Sequence, residues 1–199
     1  MRKSSGLMAF ATALCGIAGT ASATYHTFRI NEVYSNSSGS VQFIEMREMF
    51  GFNSQNSVTL APDIKSGGKD FVFPTNLPSS TTASKKFLLG TSAYAALAGA
   101  PAPDYIIPAS FFNPLGDTLQ FGTTGPDGTV DLTSFGGLPS DATMSLNRVG
   151  TSGNSYTTAV NSPTDFAGIA GSVPEPTTAL LAACSAFALF RRRNHNRIG

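Results

Sequence analysis

The chain has 199 residues, 41% of them hydrophobic and 13% charged, with a formal charge of +1. One smallish domain is expected once targeting segments are set aside. Low charge with 20 Gly and 12 Pro favours an extracellular β protein over a cytosolic helical one, and 15 Phe and 5 Tyr supply a core that argues against disorder throughout.

Charge is unevenly placed. Between Thr24 and Val173 there are seven basic residues (Arg29, Arg47, Lys65, Lys69, Lys85, Lys86, Arg148) against eleven acidic ones, and the balancing cations sit at the two ends. A mildly acidic body with one Lys85-Lys86 pair offers no footprint for a nucleic-acid backbone. The two cysteines, Cys15 and Cys184, each lie in an apolar terminal stretch. The body between them therefore has neither a disulfide framework nor a thiol nucleophile.

Residues 1–23 read as a secretory signal. Arg2-Lys3 form the positive region, and Leu7 to Ala18 form an apolar run of the right length. Ala21 and Ala23 then put small residues at the −3 and −1 positions, which predicts cleavage before Thr24. Cys15 follows Leu14, where a lipobox requires something small, so a lipoprotein signal is disfavoured.

The body, residues 24–160, reads as short strands between turn clusters. Phe28 to Tyr34 alternates as a strand, and Asn36 to Ser40 is a turn. Val41 to Glu48 then sets Val41, Phe43 and Glu45 on one face and Gln42, Ile44 and Met46 on the other. Further strands are predicted over Ser57–Leu60, Asp70–Phe73, Lys86–Leu89, Thr118–Gly122, Thr129–Thr133 and Thr143–Val149. Turns are predicted at Gly67-Gly68, Pro78-Ser79, Pro126-Asp127-Gly128 and Gly136-Gly137, and Ser92 to Gly99 is expected to make one short helix. Strands so spaced argue for a sandwich or partly closed barrel.

The order of several segments also carries a resemblance. Ile30-Asn31-Glu32-Val33-Tyr34, Phe43-Ile44-Glu45-Met46, Phe71-Val72-Phe73-Pro74 and Lys86-Phe87-Leu88-Leu89-Gly90 are followed by Gly116-Asp117-Thr118-Leu119-Gln120-Phe121, Asp127-Gly128-Thr129-Val130-Asp131, Phe135-Gly136-Gly137, Ser145-Leu146-Asn147-Arg148 and Ser162-Pro163-Thr164. Together they resemble the lamin-tail domain, which implies an all-β, immunoglobulin-like β-sandwich flanked by an N-terminal signal helix and a C-terminal hydrophobic helix. The chain departs from that pattern at Leu60-Ala61-Pro62-Asp63, where the family often carries Gly-Trp. Fold likeness supplies no reaction.

Residues 161–172, rich in Gly, Ala and Ser, are expected to be a mobile linker. Residues 173–199 are more specific. Pro174-Glu175-Pro176 is followed by the uncharged run Thr177 to Phe190 and then by Arg191, Arg192 and Arg193. As a helix that run rises about 21 Å, short of a roughly 30 Å hydrocarbon core, which suits a transient anchor. The arginines mark its cytoplasmic end. The prolines forbid helix through Glu175 and hold an extended strip outside the membrane. This tail resembles the PEP-CTERM sorting signal of Gram-negative bacteria. The resemblance implies processing by an exosortase-like membrane enzyme, after signal peptidase has acted at the other end, and association with exopolysaccharide.

Candidate chemistry is thin. His26 alone lies in the body, near the predicted new terminus where chains fray, so a Ser-His-Asp triad is disfavoured. Glu32, Glu45 and Glu48 stand on neighbouring strands and are the only material for a two-carboxylate glycosidase; pairing of Glu45 with Arg29 or Arg47, or exposure at a sheet edge, is the favoured alternative. Asp127 to Asp131 reads as a hairpin turn, with too few oxygens for calcium. Asn36-Ser37-Ser38 matches a glycosylation pattern of little weight in a bacterial protein. Cleavage before Thr24 would leave Thr24-Tyr25-His26 with four nitrogens in a plane suited to Cu(II) or Ni(II). No cofactor is expected. The leading expectation is a non-catalytic cell-surface or matrix protein associating with exopolysaccharide or another envelope component, such as envelope proteins. The alternatives are a carbohydrate- or protein-binding module, with Tyr105, Phe111 and Phe112 as the nearest aromatic cluster, and a secreted hydrolase using Glu32 and Glu45.

Overall fold

Apolar residues at every second position, broken by Gly, Pro and Asn turns, make this chain extend and pair rather than coil. The structure, a computed structural model, describes residues 25–60, 63–122, 130–151 and 153–174. The predicted signal-cleavage residues Ala21, Ala23 and Thr24, the sorting residues Glu175, Pro176, Arg191, Arg192 and Arg193, and the apolar run 177–190 lie outside them.

Among the described residues ten strands form two sheets. They are β1 (Phe28–Ser35), β2 (Gln42–Glu48), β3 (Asp63–Ser66), β4 (Lys69–Val72), β5 (Lys86–Thr91), β6 (Tyr105–Ile107), β7 (Asp117–Phe121), β8 (Asp131–Phe135), β9 (Met144–Arg148) and β10 (Tyr156–Val160). One sheet has six strands in the order β10-β9-β1-β2-β5-β6 and the other has four in the order β4-β3-β7-β8. All pairings are antiparallel except β5 with β6. The architecture is an all-β sandwich with almost no helix.

The core lies between the sheets. Phe28, Ile30, Val33, Ile44, Met46, Phe87 and Leu89 of the larger sheet meet Ile64, Leu119 and Phe121 of the smaller. Phe73 joins them edge-on, with ring centroids 5.1 to 6.1 Å from Tyr105, Phe87 and Phe121. The period-two reading of β2 holds at its centre: Ile44 and Met46 enter this core, while Phe43 packs on the opposite face with Tyr34, Leu88, Tyr94 and Val173. The turn into β2 forms where expected. Asn36 accepts the Val41 N–H on its side chain, and Gly39 takes the positive φ of 72° that the turn needs.

Several expectations are corrected. Val58–Leu60 is a 3-10 turn, not a strand, because Thr59 gives its N–H and hydroxyl to Asn76 Oδ1 instead of to a neighbouring strand. Strands β3, β6 and β10 escaped the reading: each is short or polar, and β6 is bounded by prolines. The helix α1 covers only Ser92–Ala95, capped by Thr91, whose hydroxyl accepts from the Tyr94 N–H. Tyr25 does not fray; it is buried, edge-on to His26 and Phe121. The expected mobile linker, 161–172, is packed, with Phe166 in the core and Asn161 buried. Strands β7 and β8 pair with Phe121 opposite Asp131, as a hairpin there requires, although residues 123–129 lie outside those described.

Gly90 tests how tightly the helix sits on β5. A Cβ there would stand 2.5 Å from Tyr94 Cδ1 and 3.1 Å from Pro103 Cβ. Gly90→Ala is expected to lower unfolding free energy by about 1–3 kcal/mol, measured by urea titration; an unchanged midpoint would contradict the packing described.

Candidate functional site: a C-terminal strap held by carboxylates

The outer face of a six-stranded sheet is usually polar and solvated, but this one carries an apolar patch (Tyr34, Phe43, Leu88, Tyr94) and two carboxylates that register places directly opposite one another, Glu32 and Glu45. Both glutamates are fully buried. What covers them is the segment 161–173 that follows β10.

This strap runs extended, and its alternate backbone N–H groups are taken by side-chain carboxylates. Ser162 donates its N–H to Glu32 Oε1 (2.9 Å), Thr164 to Glu45 Oε2 (2.9 Å) and Phe166 to Asp104 Oδ2 (3.0 Å). The spacing of two is that of a strand, and the three acids act where a neighbouring backbone would. Each carboxylate has other donors. Glu32 accepts from the Ser145 hydroxyl (2.6 Å) and the Ser162 hydroxyl, Glu45 from Asn31 Nδ2 (2.6 Å) and Lys86 Nζ (3.0 Å), and Asp104 from the Leu88 N–H (2.8 Å). The strap then turns back: Asp165 and Ile169 exchange hydrogen bonds, Thr164 bridges Ala170, and Gly171 donates to Pro163 O. Its last contact is Val173, buried in the outer patch, whose N–H reaches Asn161 Oδ1 at 2.6 Å. Gly171 lies so close to Gly99 and Pro101 that a Cβ would stand 2.9 Å from the Gly99 carbonyl oxygen.

Burial dominates the electrostatics. It pushes the carboxyls of Glu32, Glu45 and Asp104 above their ordinary values, opposed by the Ser145 hydroxyl at Glu32, by Lys86 at Glu45 and by the Leu88 N–H at Asp104. The charge of Glu32 adds to the rise at Glu45. Glu48 differs. Burial raises its carboxyl too, but the backbone N–H groups of Ser84, Phe50 and Phe52 outweigh it and hold it below the ordinary value.

The structure thus brings Glu32 and Glu45 together, but all four of their oxygens are engaged by protein donors and none faces solvent. A glycosidase pair needs room for a sugar between its carboxyls, and here that space holds the strap. The expected partner of Glu45 is also corrected: Lys86 pairs with it, not Arg29 or Arg47, because Lys86 leads the neighbouring strand on that face. Phe111 and Phe112 are core residues and Tyr105 is buried with its hydroxyl on Thr75 O. Among the described residues the exposed aromatics are Phe50 and Phe52, in the loop after β2, which sequence reading missed. Asp131 is buried and paired with Arg148. Among the described residues no group of three or more His, Cys, Asp or Glu is placed to hold a metal, and no helix is long and apolar enough to cross a membrane. Asp104, which holds the strap, and Asn161, which opens it, have no motif to announce them and escaped the sequence reading.

Compared with family models, curated proteins and solved structures, the chain matches none.

Two outcomes follow from the strap. A chain ending at Val160 loses the burial of Phe166 and Val173, each worth about 1.5–3 kcal/mol, so it should be less stable than one ending at Pro174 by about 3–6 kcal/mol in urea titration. Groups with raised carboxyl values bind more protons when folded, so their contribution is greatest in acid and is lost as pH climbs from about 4.5 through the raised values. Glu48 acts in the other direction and below that window. Unfolding free energy should therefore fall between mildly acidic and neutral pH, and Glu45→Gln should flatten that slope.

Proposed function

We propose that this chain is an exported, non-catalytic protein of the bacterial cell surface or extracellular matrix. Signal peptidase removes 1–23, and an exosortase-like enzyme reads Pro174-Glu175-Pro176 while the run 177–190 and its arginines hold the chain transiently in the inner membrane. The body is a sandwich of the immunoglobulin-like, lamin-tail type, associated with exopolysaccharide and working without a cofactor. The observation that carries this reading is the position of Val173. Among the described residues it is the last one buried against the sheet, and the next residue opens the Pro-Glu-Pro sequence. A packed segment that reaches this sequence supports a division of the chain between a body that stays and a tail that is cut away. The buried, fully engaged state of Glu32 and Glu45 supports a non-catalytic role over hydrolysis.

A second reading, a carbohydrate- or protein-binding module, is favoured by the exposed rings of Phe50 and Phe52 on one loop (47% and 56% exposed).

Mass spectrometry of the chain recovered from the cell surface is expected to show a mature start at Thr24 and a C-terminus beyond Val173 without residues 177–190. Glu175→Ala should cut the surface-delivered fraction roughly tenfold and leave the full tail in the membrane fraction. Recovery of the uncut chain from the cytosol would reject the proposal.

A further inference from the structure

Two guanidinium groups share one open cleft, and among the described residues a single carboxylate answers them. The cleft, about 550 Å³, is lined by Arg29, Phe50, Leu132, Arg148, Thr151 and Asn154, with Asp131 at its floor. Arg148 is committed: it pairs with Asp131 and donates to the carbonyl oxygens of Ile30 and Gly153. Arg29 is not. Its Nη1 donates to the carbonyls of His26 and Phe28, and among the described residues its Nε and Nη2 have no partner. Its cationic carbon lies 5.5 Å from the centre of the Phe50 ring, which holds the fork beside an aromatic face.

The surroundings make an anion welcome. Arg29 stands directly opposite Arg47 in the β1–β2 register, and Arg47 has no side-chain partner among the described residues. Like charges so placed repel. Burial, with Arg148 nearby, disfavours the charged guanidinium of Arg29, and Asp131 offsets only part of this. An incoming carboxylate would meet two parallel N–H donors, the fork geometry in which such pairs are strongest. The walls add a second requirement: Phe50, Val130 and Leu132 are apolar, whereas Thr151 and Asn154 are polar at the rim. A small inorganic anion would use Arg29 and leave those walls idle. A pyranose bearing a carboxylate presents the anion, a C–H face for the ring of Phe50, whose π surface is negative, and hydroxyls for the rim.

We propose that the Arg29–Phe50 cleft is a binding subsite for a carboxylated sugar unit of a polysaccharide. This rests on the binding-module reading above and names the ligand class for it.

The test uses the full chain in detergent micelles and isothermal titration with polygalacturonate, dextran and polyglutamate. Saturable binding of polygalacturonate at least tenfold tighter than of dextran or polyglutamate is expected. Arg29→Gln should weaken it at least tenfold and Phe50→Ala several-fold. Phe50 is exposed, so its variant keeps the fold and decides the matter even if Arg29→Gln unfolds. Equal binding of polyglutamate would overturn the sugar class, and polygalacturonate binding that is absent, or unmoved by Phe50→Ala, would overturn the site. Surface delivery is read separately from the mass of the mature chain, so failure here leaves the export proposal standing.

Discussion

Three buried carboxylates holding the backbone of one segment is the interaction on which the rest of this structure depends. Glu32, Glu45 and Asp104 take the N–H groups of Ser162, Thr164 and Phe166. A buried acid without donors is costly, and a backbone N–H laid on an apolar sheet face without an acceptor is costly too. Neither the outer face of the large sheet nor the strap could be buried alone. Together they satisfy each other, and the covered patch of Tyr34, Phe43, Leu88 and Tyr94 gains Val173 as its lid. The molecule is therefore three layers deep on one side: small sheet, large sheet, strap.

The two sheets are tied at one edge by a second polar arrangement. Arg148 at the end of β9 reaches Asp131 at the start of β8, while Asp131 also accepts the N–H of Ile30 at 2.7 Å, where β1 departs from regular register around Asn31. Tyr156 of β10 completes the edge, its hydroxyl donating to Ile30 O and bonding the Thr133 hydroxyl. The register irregularity leaves Ile30 groups open to side chains, and side chains from both sheets occupy them. Arg29, next in line, has backbone carbonyls but no side-chain acceptor among the described residues, which distinguishes it in the neighbouring cleft.

The buried polar arrangements of the described residues thus lie under the strap and at one edge of the domain. Among the described residues the strap runs to Pro174, the first residue of the Pro-Glu-Pro sequence. Val173 lies against the large sheet's outer side, its N–H held by Asn161 Oδ1. The Phe50 loop and the Arg29 cleft belong to the β8–β9 edge.

Much of this was legible in the residues. Phe28 to Tyr34, Val41 to Glu48, Lys86 to Leu89, Thr118 to Gly122 and Thr143 to Val149 alternate or run apolar between Gly, Pro and Asn, and local sterics and the need to bury one face settle such segments wherever they sit. The expectations for the two ends rest on charge and apolar length alone, and residues 1–24 and 175–199 lie outside the described ones. Strands such as Asp63–Ser66 and Tyr156–Val160 could not be read, since polar four- and five-residue pieces extend only because a partner edge offers hydrogen bonds. Nor could the strap. Composition of 161–172 is that of a linker, and nothing local distinguishes it from one. Its order comes from acids 119 to 130 residues away in the case of Glu45 and Glu32, a non-local pairing that only the folded sheet creates. The same holds for the glutamates: sequence alone placed Glu32 and Glu45 on adjacent strands, and tertiary structure decided that a backbone, and not a substrate, fills the space against them.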